Sequence, residues 1–183
     1  MAATRWLSAD EQRTWRTYVG FSRLLLDSLD AQLQRDAGMP FAYYEILVRL
    51  SEAPDRTLRM SALATSSGQS RSRLSHAVAR LEAAGWVRRE GCPTDRRGAL
   101  AVLTDDGFQA LEAAAPGHVN AVREMLFDPL TSEQVSALEA VATAVLAALD
   151  VEGHAPPAEP CPGSTAQKQY PGQCQPGTGE LDT

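Results

Sequence analysis

The chain has 183 residues, 44% of them hydrophobic and 22% charged, and a formal net charge of −6, the balance of a soluble globular protein of one or two small domains. Its apolar runs fall short of the ~20 residues that cross a bilayer, and the opening stretch "MAATRWLSADEQ" has no signal-peptide core, so a cytoplasmic location is expected. Cys92, Cys161 and Cys174 show neither CxxC spacing nor a neighbouring histidine, which excludes a zinc site or a disulfide framework as the organising feature.

Ser8 and Glu11 form a capping-box signature. Trp15, Tyr18, Val19, Leu25, Leu26, Leu29 and Leu33 then recur at helical spacing, which predicts one long helix ending near Gly38. Pro40 suits the first turn of a second helix, "FAYYEILVRLSE", that stops before Pro54. A short helix is predicted in "LRMSALATSSG", closed by Gly68. Ser70 fits the N-cap of "SRSRLSHAVARLEAAG", in which Leu74, Ala77, Val78 and Leu81 make one apolar face, and Gly85 is its C′ residue. Ser72, His76 and Ala79 fall on the opposite face, with Arg73 and Arg80 along one edge.

"WVRRE" and "ALAVLT" read as two strands around a loop tip that holds Asp95, Arg96 and Arg97, with Gly91, Pro93 and Gly98 as turn signals. Cys92 is expected to be exposed beside these arginines, surroundings that can lower a thiol pKa. Thr104 caps a further helix with Phe108, Leu111, Val122 and Leu126 inside, and Pro116-Gly117 should kink or interrupt it. The last helix starts at a second capping box, Thr131 and Gln134, and carries the stripe Val135, Leu138, Val141, Val145 and Leu149. Residues 152–183 hold six Pro and five Gly with almost no large apolar residues, a composition that predicts a disordered tail.

Net charge hides a segregation. Residues 56–97 carry nine arginines against three acids, a net +6, inside an otherwise acidic chain. Arginine suits bidentate recognition of phosphate and guanine better than lysine does. A solvated charged face is the alternative reading, but it accounts less well for a cluster confined to one block. The histidines at 76, 118 and 154 are scattered, with no metal spacing, nucleophile elbow or glycine-rich phosphate loop, so no enzyme and no cofactor is expected.

A short helix, a glycine-containing turn and a polar-faced helix make a helix-turn-helix, and the added hairpin makes it winged. The segment "LRMSALATSSGQSRSRLSHAVARLEAAGWVRREGCPTDRRGALAVLTDDG" resembles the winged-helix core of the MarR family of bacterial transcriptional regulators. The wing signature Asp95, Arg97, Leu103, Thr104 and Gly107 is its most specific element. The expected fold is mainly α with a small β-wing: a winged helix-turn-helix (about 40–104) flanked by dimerisation helices (about 8–38 and 105–151), together one domain over 1–151.

The resemblance implies a homodimer whose terminal helices intertwine. The long apolar first and last helices call for a partner independently, although packing on each other within one chain would also cover them. The expected function is sequence-specific binding of double-stranded DNA at a pseudo-palindromic operator. The expected contacts are Ser70, Arg71, Ser72, Arg73, Ser75, His76 and Arg80 on the second helix and Asp95, Arg96 and Arg97 on the wing. Arg97 matches the family's minor-groove arginine, and Asp95 the acid that orients it. Repression relieved by a small aromatic or phenolic effector is also implied, with Trp15, Tyr18, Tyr43 and Tyr44 bordering its cleft, although core and hinge packing accounts better for any one of these four. The peroxide-responsive branch uses a cysteine on the first helix, which this chain lacks. A winged protein–protein module without specific DNA binding is the competing expectation.

Overall fold

The computed structural model describes residues 3–149 apart from Pro93 and Thr94, and omits the side chains of Asp95, Arg96 and Arg97. The expected disordered tail therefore lies outside the described residues. The elements run α1 (Ala9–Ala37), α2 (Phe41–Glu52), β1 (Thr57–Arg59), α3 (Met60–Ser66), α4 (Arg71–Ala83), β2 (Val87–Cys92), β3 (Asp95–Leu103), α5 (Asp105–Val122) and α6 (Ser132–Ala148). This is the expected winged helix-turn-helix with flanking helices.

Local chemistry sets the boundaries. The Ser8 hydroxyl accepts from the Glu11 N–H while the Glu11 carboxylate accepts from the Ser8 N–H, a complete capping box that also holds the Glu11 carboxyl below its ordinary pKa. Gly38 closes α1 at φ 65°, a left-handed conformation that glycine adopts without a Cβ clash. Pro40 stands one residue earlier than expected, as the N-cap of α2 rather than inside its first turn. Thr131 and Gln134 form the second capping box at the start of α6.

The core gathers Leu33, Ile46, Leu47, Leu50, Leu63, Leu74, Val78 and Leu81, all fully buried, under the sheet residues Val87, Ala101 and Leu103. All four residues of the expected apolar face of α4 are buried there. Each such leucine contributes roughly 1.5–3 kcal/mol relative to exposure, so the orientation of α4 is fixed by its inner face and its outer face is free for contact.

Three sequence expectations are corrected. The sheet has three strands in the order β1-β3-β2, because Thr57, Leu58 and Arg59 pair with Val102, Ala101 and Leu100. Leu58 and Arg59 were expected in the short helix; the buried partner strand outcompetes local preference there. Asp95, Arg96 and Arg97 open β3 rather than forming a loop, with Cys92 opposite Asp95 across a register shift after Gly91. Cys92 is buried, not exposed.

The expected break at Pro116-Gly117 is also absent, and α5 runs unbroken from Asp105 to Val122. Pro116 removes the N–H that would serve the Glu112 carbonyl. Both residues are exposed, on the side of the helix where solvent can serve a free carbonyl, while buried Leu111, Ala114, His118 and Ala121 hold the opposite face. The irregularity comes later, as a π-helical turn over Arg123–Phe127 in which the Asp128 N–H donates to the Arg123 carbonyl at 2.8 Å.

Candidate nucleic-acid interface

The outward surface of α4 carries every polar residue expected there. Ser70, Arg71, Ser72, Arg73, Ser75, His76 and Arg80 are all exposed. The Ser70 hydroxyl accepts from the Arg73 N–H at 3.3 Å, so it caps the helix and keeps its own O–H free to donate. The first N–H groups of α4 point out of the same end, where the helix dipole favours an anion. Arg71, Arg73 and Arg80 form no ion pair among the described residues, so their charge is uncommitted.

The basic block divides by role. Arg88 pairs with Glu90 at 2.7 Å. Arg89 pairs with Glu82 at 3.0 Å and donates to the Ser75 carbonyl at 2.7 Å. Arg56 pairs with Asp105 at 3.0 Å and lies 3.9 Å over the Phe108 ring, tying the turn before β1 to the start of α5. In the sequence all three stand only as positive charge. Glu90 is two residues along the same strand from Arg88, but the partners of Arg89 and Arg56 are 7 and 49 residues away, which no local pattern exposes.

Between α4 and the root of the wing lies an open cavity of about 420 Å³, lined by Arg59, Met60, Ser61, Arg71, Leu74, Ser75, Arg89, Gly98 and Ala99. Its lining combines apolar Met60 and Leu74 with Arg59, Arg71 and Arg89. β2 and β3 carry the wing beyond it, and the backbone places Asp95, Arg96 and Arg97 at the outer end of β3; the side chains expected to act there lie outside the described residues.

The aromatic residues expected around an effector cleft fall into two sets. Trp15 and Tyr18 are exposed on the first half of α1, with ring centroids 6.2 Å apart. Tyr44 is buried on α2 against His118, centroids 4.5 Å apart, and Tyr43 is half-buried beside the same core. Trp15 stands about 27 Å along α1 from Leu33, so one chain does not bring the two sets together. His118 itself faces Phe41 and Tyr44 and shares a 3.4 Å hydrogen bond with buried Gln32. Burial lowers its pKa. Of this cluster only Tyr44 is among the residues expected at a site, because Gln32 and His118 are 86 residues apart in the chain.

A family model for the MarR family matches residues 37–98. The chain is similar to Sco3205, a MarR family transcriptional regulator of Streptomyces coelicolor whose crystal structure is in complex with DNA. Identity is 54% and the TM-score 0.79, over 85% of this chain and 97% of that one. It is similar to AbsC, a MarR family transcriptional regulator of the same organism, at 44% identity and a TM-score of 0.76, over 81% of this chain and 100% of that one. The HTH-type transcriptional regulator PecS of Dickeya dadantii is 37% identical over 70 residues, a match spanning 38% of this chain and 42% of PecS.

Proposed function

The chain belongs to the MarR family of transcriptional regulators, and from that premise we propose that it binds double-stranded DNA sequence-specifically as a homodimer. On this reading α4 enters the major groove and the wing reaches the adjacent minor groove. The observation that carries it is the outer face of α4, where three uncommitted arginines and four short polar or imidazole side chains stand exposed on a helix whose inner face is locked in the core. The DNA complex of the Streptomyces coelicolor relative supports the same reading.

Dimerisation is supported by apolar surface that one chain leaves uncovered. Trp15, Tyr18, Phe21, Leu24 and Leu26 of α1 are exposed, as are Val141, Val145, Leu146 and Leu149 in and just after α6, which contains no buried residue. A surface of that character marks an interaction site. Two copies present two recognition helices, and a pseudo-palindromic operator follows. Its action is that of a repressor, released by a small aromatic or phenolic ligand. Trp15 and Tyr18 of one copy meet Tyr43 and Tyr44 at such a cleft only if α1 of the second copy lies alongside.

The test is selection of bound duplexes from a random pool by the full chain, followed by titration of the selected duplex at two salt concentrations and a screen for small aromatic compounds that release it. A steep salt dependence is expected, since each neutralised phosphate releases counterions. Failure to enrich any sequence, or retention indifferent to salt, would overturn the reading.

A further inference from the structure

Arg89 lines the cavity between α4 and the root of the wing, and its pairing with Glu82 links those two parts of the surface. β2 is an edge strand of the sheet, so its outer backbone groups need partners. The Arg89 N–H finds one in Glu82 Oε1 at 3.1 Å, and its Nε meets Glu82 Oε2 at 3.0 Å. Nη2 donates to the Ser75 carbonyl at 2.7 Å. Ser75 and Glu82 are two helical turns apart, but a helix carbonyl points toward the C-terminus and a helix side chain leans toward the N-terminus. The two acceptors therefore converge on one guanidinium. A planar fork with two fixed partners has a defined orientation, unlike uncommitted Arg71, Arg73 and Arg80.

We propose that Glu82 and Arg89 are a positioning pair that sets the angle between the recognition helix and the wing, so that both reach their grooves at once. The proposal deepens the DNA-binding reading and rests on it. Neither residue needs to touch DNA. The core holds α4 through Leu74, Ala77, Val78 and Leu81, so loss of the pair leaves the helix in place and frees only the wing.

The experiment is a double-mutant cycle on the duplex selected by the parent chain, using Glu82→Gln and Arg89→Lys, each alone and combined with Arg97→Ala. Glu82→Gln removes a negative charge near DNA, so charge counting alone predicts tighter binding. The positioning role predicts specific binding weaker by about tenfold, with an unchanged unfolding midpoint, and a cost below about twofold once Arg97→Ala has removed the wing's contribution. Arg89→Lys keeps the charge and loses the fork, and should reproduce both results. Equal costs in the two backgrounds, or tighter binding by Glu82→Gln, would overturn the positioning role while leaving DNA binding intact. If the parent enriches no duplex, the DNA-binding reading itself fails and the pair's role with it.

Discussion

Gly107 shows how a single position carries a physical requirement that a motif only labels. A Cβ there would press into the Trp86 carbonyl oxygen and lie 2.8 Å from Leu103 Cδ1. Thr104 closes the same corner, donating to the Gly85 carbonyl at 2.7 Å and accepting from the Gly107 N–H at 3.0 Å. Alanine normally favours a helix over glycine by about 1 kcal/mol, but overpacking here should reverse the sign. Gly107→Ala is expected to destabilise by about 1–3 kcal/mol in denaturant unfolding. His118 makes a second residue-scale prediction. Its burial lowers the pKa, so the unfolded state binds the proton first as pH falls. The stability that depends on neutral His118 is present above about pH 6.5 and is lost below it. The fall in unfolding free energy from about pH 7 to about pH 5 should therefore be smaller in His118→Gln than in the parent; an equal fall would contradict the burial argument. The groups around the ring are Phe41, Tyr44 and Gln32, with Asp36 behind Gln32 at 2.9 Å.

The wing is the element for which the sequence predicts the most specific chemistry and whose geometry departs most from expectation. Arg97→Ala should weaken specific binding by on the order of 1–3 kcal/mol with the fold intact. Asp95→Ala should weaken it too, against charge counting, if the carboxylate orients Arg97. Arg96→Ala should cost less and mainly reduce the salt slope. Titration of all three at two salt concentrations decides; an Asp95→Ala variant that binds more tightly at both would remove the orienting role. Helices announced themselves because capping residues and apolar spacing are local: Ser8 with Glu11, Thr131 with Gln134, and Leu74 through Leu81 all needed only their neighbours. β1 did not, because three residues carry no periodicity and its strand character comes from pairing with Val102, Ala101 and Leu100. The Arg56 strut to Asp105 and Phe108 was hidden for the same reason. The turn before it holds Asp55 and Arg56 at φ 51° and 54°, a costly conformation for non-glycine residues that the strut and the β1 pairing hold in place.

At the scale of the whole molecule, the winged lobe has a closed core that includes the end of α1 and one face of α5, whereas the first part of α1 and α6 leave apolar surface exposed. Trp15 is 58% exposed and Val141 62%, in a chain whose lobe buries Leu47 and Leu50 completely. The apolar stripe of α6 was readable from its spacing, but spacing alone left open whether it packs inside the chain; Val135 and Leu138 are half-buried, while Val141, Val145 and Leu149 are exposed. Removal of residues 152–183 should leave the protein dimeric and DNA-competent, as sizing and gel shift of the truncated chain will report; a monomer or a loss of binding would show that the tail takes part. Sequence-specific binding of this kind requires two recognition helices arranged by a two-fold axis. Hydroxyl-radical footprinting of the full chain on the selected duplex tests this most directly. Two protected half-sites centred about one helical turn apart, on the order of 10 bp, with two chains per duplex, is the predicted result. A single asymmetric half-site occupied by one chain would contradict it.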